Sequence, residues 1–151
     1  MCADHAGDSI RLVLFDVDGV LTDGSLHFDA RGEAFKTFNA RDGVAVALLR
    51  AHGISSGILS GKTSAALNKR AEQLGFDVLL TGRKDKLIAF QRLCAELAVK
   101  PEQVAYVGDD VIDIPVMRAV RLAIAPSDAH PLVLQAAHHV LNVIGGRGAG
   151  R

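Results

Sequence analysis

Short apolar runs that alternate with helical patterns constrain the fold of this chain more than any other feature. The first run, Leu12 to Phe15, is continuously apolar and ends at Asp16, which is typical of a strand buried on both faces. Strands separated by helices imply right-handed crossovers and a parallel sheet covered on both faces. The sequence therefore predicts an α/β, Rossmann-like fold. Further strands are predicted at Ser56–Leu59, Val78–Leu80, Val104–Val107 and Leu122–Ile124, with a sixth candidate at His139–Val143.

The helices are predicted between these strands from apolar stripes and from residues that start or stop a helix. Asp85 can cap a helix that runs to Leu97, with Pro101 after its end. The other predicted helices are Gly43–His52, Thr63–Leu74, which Gly75 closes, and Ile112–Ala119.

One segment, residues 24–38, breaks the alternation. Leu26, Phe28 and Phe35 alternate with polar neighbours, and Asp29–Gly32 supplies turn chemistry. This pattern predicts a β-hairpin that projects from the first strand. An irregular surface loop is the alternative.

The length of 151 residues suits one domain, from residue 1 to residue 151. Within it we expect a loose lead-in at residues 1–10 and a tail at residues 145–151. The interval from Asp18 to Ser60 holds a hairpin and one helix, and that from Ser60 to Lys86 holds a helix and a short strand. Neither interval has room for a cap domain. A neighbouring subunit is therefore expected to cover any site at the carboxyl ends of the strands.

Composition excludes several classes of function. The 17 basic and 17 acidic side chains cancel, so no net field draws the chain to nucleic acid or to a membrane surface. Cys2 and Cys94 are the two cysteines, which fits a reducing compartment better than a disulfide. No apolar run reaches the roughly 18 residues of a membrane span, and the first ten residues do not resemble a signal peptide. A cytoplasmic enzyme or binding module is expected.

The strongest chemical signal is Asp16 and Asp18, which follow the first strand with Gly19 directly after them. In parallel sheets, ligands lie beyond the carboxyl ends of the strands, so both carboxylates can address one site. An ionised Asp16 is a competent nucleophile toward phosphorus, and Asp18 can act as general acid and then as general base. Gly19 allows the backbone to approach an anion closely.

A second acidic group, Asp109, Asp110 and Asp113, follows the fourth strand. Carboxylates from both clusters would repel one another at low dielectric, and a hard cation removes that cost. Mg²⁺ suits a site with a few protein oxygens, waters and a phosphate oxygen. Taken alone, the Gly-Asp-Asp sequence is also compatible with a simple loop or helix cap.

Two further elements suit an anion. Ser60 and Gly61 follow the second strand, where a hydroxyl and backbone N–H groups at a helix start make an anion cradle. Lys86 lies in the first turn of the next predicted helix and can bring a positive charge to a phosphate. A lysine in a charged stretch such as RKDK is commonly solvated surface, which is one alternative, and Lys84 is another candidate for this role.

These motifs together resemble those of the haloacid dehalogenase superfamily of phosphatases. The resemblance covers about residues 10–149 and rests on LFDVDGVLTDG, LSGKTS, the region of Lys86, and YVGDD with Asp113. The stretches FNARDG, KDKLIAF, VAYVGDDVIDIPVM, DAHP and GGRGA are similar to those of 3-deoxy-D-manno-octulosonate 8-phosphate phosphatases.

The resemblance implies roles for the residues that match the motifs. Asp16 would be the nucleophile and Asp18 the acid/base, and Ser60, Gly61 and Lys86 would hold the phosphoryl group. Mg²⁺ would bind the carboxylates of Asp16 and Asp109 and the backbone carbonyl of Asp18, with Asp110 and Asp113 as further ligands or partners of the ligands. Such proteins are homotetramers without a cap domain, and their reaction belongs to lipopolysaccharide precursor synthesis in the cytoplasm.

The chain departs from this pattern at two places. Lys62 stands where many octulosonate phosphatases have arginine, which keeps a positive charge for a substrate carboxylate but loses the bidentate fork. After GGRGA, relatives continue into a helix, whereas this sequence stops at Arg151. In relatives the tail can reach a neighbour's site, which makes Arg147 a candidate substrate contact; a solvated tail is the alternative.

Other functions fit less well. Another keto-sugar phosphate, such as 2-keto-3-deoxynononate 9-phosphate, remains an alternative substrate, and a non-catalytic module of the same fold is a further alternative. The sequence argues against a nucleotide triphosphatase. A Walker-type phosphate loop needs four residues between its glycines, but Gly57 and Gly61 enclose three. A receiver domain carries its phosphorylated aspartate after the third strand, where this chain has Thr81 and Gly82. No acidic residue or cysteine lies at metal-ligand spacing around His138 and His139, so we expect these histidines to be structural or exposed rather than metal ligands.

Overall fold

A six-stranded parallel sheet forms the centre of the computed structural model, which describes residues 10–151. The predicted lead-in, apart from Ile10, and Cys2 lie outside the described residues. The sheet consists of β1 (Leu12–Phe15), β4 (Ser55–Leu59), β5 (Val78–Leu80), β6 (Val104–Val107), β7 (Leu122–Ala125) and β8 (His139–Val140), and a separate hairpin consists of β2 (His27–Asp29) and β3 (Gly32–Phe35). The helices are α1 (Asp42–Ala51), α2 (Ala65–Leu74), α3 (Lys86–Leu97), α4 (Ile114–Ala119) and α5 (Pro131–Ala136).

The strand order is β5-β4-β1-β6-β7-β8, and every pair in this sheet is parallel. β1 lies between β4 and β6, and the connections on its two sides lead away in opposite directions. A crevice forms at such a switch point beyond the carboxyl ends of the strands. The fold thus brings the turns after β1, β4 and β6 to one edge.

Apolar residues of β1 face both sides of the sheet, as the continuous run predicts. Leu12 and Leu14 belong to a core that also contains Phe90 of α3. Phe15 belongs to a second core, on the opposite face, with Leu67 of α2. Burial of each large aliphatic side chain contributes about 1.5–3 kcal/mol. Both faces of the central strand are therefore fixed by packing, which holds its carboxyl end in place.

Local signals account for the ends of α2 and α3. The side chain of Ser64 accepts a hydrogen bond from the Leu67 N–H, and Gly75 ends α2 in a left-handed conformation with φ of 72°. Asp85 accepts a hydrogen bond from the Ile88 N–H at the start of α3. The predicted bounds of α3, β5 and β6 are confirmed, whereas α2 begins two residues later than predicted because Ser64 caps it.

Two further predicted segments differ from the structure by more than a residue at an end, and one helix was not predicted. The predicted helix Ile112–Ala119 is divided into a 3₁₀ turn, Val111–Asp113, and α4, because a proline within the first turn of α4 limits its backbone donors. The last strand ends at Val140 rather than Val143. Helix α5 was not predicted, although His130 caps it and a proline follows at its first position.

The predicted hairpin is present as β2 and β3, and no cap domain occurs within residues 10–151. His27 stacks on Phe35 with ring centroids 4.2 Å apart. Leu26, Phe28 and Phe35 are exposed, with Phe28 at 66%. Across residues 10–151, no helix has the length and apolar character needed to cross a membrane.

Candidate active site

The turn after β1 carries Asp16 to the edge of the sheet. The Asp16 N–H donates to the Val107 carbonyl of β6 at 2.9 Å, which continues the ladder one residue beyond the strand. The next turn closes on the Val17 carbonyl, which accepts N–H bonds from Val20, Leu21 and Thr22. This tight turn brings Asp18 back to the cleft that Asp16 lines.

The two acidic turns meet, as their predicted positions require. One carboxylate oxygen from each of Asp16, Asp109 and Asp113 lies within 4.8 Å of the others. Asp16 and Asp113 are buried, and Asp109 is partly buried. This cluster lies where β1 and β6 are paired, with Phe15 opposite Val107.

Lys86 provides the positive charge of the cluster. Its Nζ lies 2.9 Å from Oδ1 of Asp16 and 2.7 Å from Oδ1 of Asp113, and its side chain is 1% exposed. Burial alone would lower the pKa of Lys86, but the charges of Asp16 and Asp113 raise it, so the ammonium form is retained. Lys84, the alternative considered from the sequence, is exposed and does not line this cleft.

Asp113 is fully buried and both of its carboxylate oxygens are engaged. Oδ1 accepts from Lys86 Nζ and from the Tyr106 hydroxyl, at 2.7 and 2.6 Å. Oδ2 accepts the backbone N–H groups of Asp109 and Asp110, at 3.0 and 3.2 Å. Burial first, and then the neighbouring carboxylates, raise the pKa of Tyr106 well above its usual value, so its hydroxyl remains a donor. Asp113 therefore orients its neighbours rather than offering a free oxygen.

The two other carboxyl groups of the cluster, those of Asp16 and Asp109, have raised pKa values. Burial, together with the charge of Asp113 and against that of Lys86, raises the pKa of Asp16 to about 6. Burial and the charges of Asp16 and Asp113 raise the pKa of Asp109 to about 8. Among the described residues, no group donates a hydrogen bond to the buried Oδ1 of Asp109. A cation would satisfy this oxygen and relieve the repulsion.

The residues present therefore fit a hard divalent ion. Gly19 adopts φ of +85°, and a Cβ there would lie 1.8 Å from Oδ2 of Asp109. The absence of a side chain at this residue leaves room for the Asp109 carboxylate beside the turn. Carboxylate oxygens are the ligands that Mg²⁺ prefers.

A cleft of about 240 Å³ opens over this cluster. Ser60 is buried, and its hydroxyl accepts the Lys62 N–H at 3.3 Å. Lys62 itself is exposed and lines the cleft, so its charge lies beside the site. The lining residues, from the turns after β1, β4 and β6, are Asp16, Asp18, Gly24, Ser60, Gly61, Lys62, Asp109, Asp110 and Ile112.

Arg147 is not part of this cleft. It is exposed and lines a neighbouring pocket that also includes Asp23 and Asn39. Other parts of the tail are packed: Gly146 donates its N–H to the Val20 carbonyl at 3.0 Å, and Gly150 donates to Oδ1 of Asp42 at 3.0 Å. Within one chain, the tail therefore supports the turn after β1 from outside the cleft.

Two residues near the site were missed from the sequence. Lys36 forms a salt bridge with Asp18, with Nζ 2.7 Å from Oδ1. Tyr106 was interpreted only as part of a buried strand. The motif YVGDD contained a usable signal, because a buried tyrosine hydroxyl needs a hydrogen-bond partner. Lys36 gave no comparable signal, since its partner is 18 residues away.

The histidines have structural contacts. His130 donates its backbone N–H to the Asp109 carbonyl at 2.9 Å, and its ring Nδ1 accepts the Leu132 N–H at 3.2 Å. It therefore connects the start of α5 to the acidic turn. His138 Nδ1 accepts the Ala123 N–H at 2.8 Å.

Comparisons with known proteins agree with this geometry. The family described as haloacid dehalogenase-like hydrolase matches residues 33–121. The chain is similar to the 3-deoxy-D-manno-octulosonate 8-phosphate phosphatase of Yersinia pestis, with 48% identity over 143 residues, which are 95% of this chain and 76% of that protein.

Two solved structures have nearly the same backbone. The cobalt-bound deoxy-D-mannose-octulosonate 8-phosphate phosphatase of Haemophilus influenzae has a TM-score of 0.94 and 41% identity, covering 97% of this chain and 86% of that one. The corresponding phosphatase of Moraxella catarrhalis, in complex with magnesium, phosphate and the sugar acid, has a TM-score of 0.92 and 30% identity, covering 96% and 83%.

Proposed function

Because the chain belongs to the haloacid dehalogenase-like hydrolases and is a phosphatase, we propose that it hydrolyses 3-deoxy-D-manno-octulosonate 8-phosphate through an aspartyl-phosphate on Asp16. One observation carries the proposal: the carboxylates of Asp16 and Asp109 converge beside Lys86 at the carboxyl ends of β1 and β6. The similarity to octulosonate phosphatases supports the choice of substrate, and the exposed Lys62 at the cleft suits a substrate carboxylate.

Asp16 and Asp109, with the backbone carbonyl of Asp18, would hold Mg²⁺, with Asp110 and Asp113 beside them. When bound, this ion supplies positive charge that offsets the charge of the phosphoryl oxygens. Asp113 has all its oxygens engaged and would act through the loop and the lysine that it holds. The magnesium-bound relative supports the choice of ion, and the unpartnered oxygen of Asp109 supports the location.

In the first step, a carboxylate oxygen of Asp16 forms a bond to phosphorus while the bond from phosphorus to the ester oxygen breaks. Asp18 gives its proton to the departing oxygen. Lys86, Ser60 and Gly61 would hold the phosphoryl oxygens, since Lys86 contacts Asp16 directly and the other two line the cleft.

In the second step, water attacks the phosphorus of the aspartyl-phosphate and Asp18 takes the proton of that water. Inorganic phosphate leaves, and Asp16 regains its carboxylate. Asp18 ends the cycle protonated, ready for the next leaving group. Both steps use the same residue for proton transfer, which makes its orientation important in each.

We further propose that the chain is one domain that works as a cytoplasmic homotetramer, in which a neighbouring subunit covers the cleft. A phosphoryl-enzyme needs shielding from bulk water, and no cap occurs within residues 10–151. The exposed apolar residues of the hairpin, Leu26, Phe28 and Phe35, support a contact there. Arg147, which lies outside the cleft of its own chain, would contact a neighbour's substrate in this arrangement.

The experiment measures phosphate release from sugar-acid phosphates, with the octulosonate and nononate compounds side by side, in Mg²⁺ and in EDTA. We expect the octulosonate ester to have the highest kcat/KM and EDTA to abolish turnover. Asp16→Asn should abolish turnover while circular dichroism stays unchanged. Glu72→Gln, at an exposed carboxylate of α2, is the matched control. Retained turnover in Asp16→Asn would require a different nucleophile.

A further inference from the structure

Asp18 has an ionic partner outside the motifs, Lys36. The Nζ of Lys36 lies 2.7 Å from Oδ1 of Asp18 and 3.1 Å from Oε2 of Glu33. The side chain of Lys36 is 2% exposed, whereas that of Asp18 is 23% exposed and lines the cleft. The ammonium is therefore covered, while the carboxylate that it holds still reaches the cleft.

The hairpin places Lys36 at this point. Lys36 directly follows β3, whose second residue is Glu33. The nearby hydroxyl of Ser64 is the main cause that lowers the pKa of Glu33, and Ser64 also caps α2 by accepting the Leu67 N–H. The base of the hairpin is thus tied both to Asp18 and to the helix that follows the Ser60–Gly61 turn, so Lys36 is held from two sides.

Lys36 remains a cation in this environment. Burial alone would lower the pKa of Lys36, but the hydrogen bonds and charges of Asp18 and Glu33 raise it. A lysine that bonds two carboxylates loses most of its rotamer freedom, and it restricts the carboxylates in turn. Because Oδ1 of Asp18 is held by the ammonium, Oδ2 is left to meet a substrate.

We propose that Lys36 is a positioning residue for Asp18, which aims the carboxylate at the leaving oxygen in the first step and at water in the second. This inference rests on the proposed function, in which Asp18 moves the proton. Lys36 itself neither gains nor loses a proton. The proton passes from Asp18 to the ester oxygen as the bond to phosphorus breaks, and it is replaced by a proton from the attacking water.

Without Lys36, we expect a loss of kcat/KM whose size depends on the leaving group of the substrate. A misplacement of about 1 Å at a reacting group costs about 100-fold in rate. An alkyl phosphate needs a proton on its leaving oxygen, whereas a p-nitrophenolate leaves without one. Since kcat/KM covers the steps up to departure of the leaving group, a misaimed Asp18 should lower it for alkyl phosphates far more than for p-nitrophenyl phosphate.

The experiment compares kcat/KM for the sugar-acid phosphate and for p-nitrophenyl phosphate in Lys36→Met and Lys36→Arg. We expect Lys36→Met to lower the ratio of the two values about 10- to 100-fold and Lys36→Arg, which keeps the charge, to recover most of it. The ratio does not depend on the concentration of folded enzyme, so partial misfolding cannot produce this result. Lys69→Met, at an exposed lysine of α2, is the matched control.

Asp18→Asn separates this inference from the proposed function. If Asp18→Asn keeps wild-type activity, the role of Asp18 in the proposed function is wrong. If Asp18→Asn is impaired, Lys36→Met should add no further loss in that background. Four results would each overturn the role of Lys36. In Lys36→Met, kcat/KM falls equally for both substrates or does not fall, or it falls by the same factor with and without Asp18; in Lys36→Arg, the ratio is not recovered.

Discussion

Gly19 lies where the turn that carries Asp16 and Asp18 meets the side chain of Asp109. Replacing Gly19 by alanine therefore tests the proposed metal site. The residue adopts φ of +85°, and an added Cβ would lie 1.8 Å from Oδ2 and 2.5 Å from Cγ of Asp109. Contacts of a Cβ under 3.0 Å essentially never occur in proteins, so the oxygen must move by about 1.2 Å or more. Gly19→Ala therefore displaces one proposed ligand without removing it.

Two costs follow, and they can be separated. A left-handed conformation costs an alanine about 1–2 kcal/mol, which lowers the melting temperature of a chain of this size by about 2–8 °C. Mg²⁺ requires oxygen ligands at about 2.0–2.1 Å in near-ideal geometry, so a shift of more than about 1 Å breaks the bond. At a concentration about 100-fold above Kd, a bound ion adds about 2.7 kcal/mol, or about 5–10 °C. Gly19→Ala should lose most of this increment.

The assay is thermal unfolding in EDTA and in Mg²⁺, with isothermal titration calorimetry for the ion. Gly53→Ala is the matched control, because Gly53 has φ of +70° and no described atom lies within 4 Å of its Cβ position. We expect both variants to lose stability in EDTA, but only Gly19→Ala to lose the stabilisation by Mg²⁺. If Gly19→Ala keeps the wild-type increment, Asp109 does not bind the ion as proposed.

Two other predictions concern charge and assembly. The pKa values of Asp16 and Asp109 are raised, by burial first, to about 6 and about 8, so between about pH 4 and pH 8 these two groups hold more protons in the folded state than in the unfolded state. The contribution of these two groups to metal-free stability should therefore be complete below about pH 4 and be lost as pH rises toward 8, and Mg²⁺ should reverse this loss. Urea unfolding in EDTA between about pH 5 and pH 8 measures it, and a stability that rises with pH over this range would contradict it. Phe28→Asp, at an exposed hairpin residue, should give monomers by light scattering with a lowered kcat/KM, and a fully active monomer in dilute solution would contradict the proposed role of the neighbouring subunit.

Periodicity and capping predict the parts of the fold that depend on local chemistry. The continuous run from Leu12 to Phe15 predicts a strand buried on both faces, and its side chains pack into two different cores. Asp85 begins α3 at the predicted point, because a side-chain cap is decided within one turn. Elements of this kind are specified by neighbouring residues, so they can be inferred without coordinates.

Short elements and long-range contacts could not be predicted in the same way. Helix α5 has six residues, too few for a clear apolar stripe, although the proline at its first position was a signal. A solvated tail was one of two alternatives from the sequence, but Gly146 and Gly150 bond to the turn after β1 and to Asp42. These contacts join residues more than 100 positions apart, and local sequence carries no record of them.

The candidate site shows the same division. Asp16 and Asp109 could be placed together because parallel strands end at one edge, and the structure brings them together with Asp113. Lys36 could not be placed, because the position of the hairpin relative to the main sheet decides which acidic group the Lys36 side chain contacts. Tyr106 was predicted only as part of the strand Val104–Val107, and its hydroxyl contact depends on the path of the chain after β6.

The four bonds to Asp113 have a further consequence for what this position can tolerate. Asparagine has the same shape, but one end of its amide is an NH₂ group that only donates. In one flip that group would face the two backbone N–H groups of the Asp109 turn, and in the other it would face the ammonium of Lys86. Neither flip is compatible, so a neutral isostere would uncouple the Asp109 turn from Lys86, whose Nζ contacts Asp16.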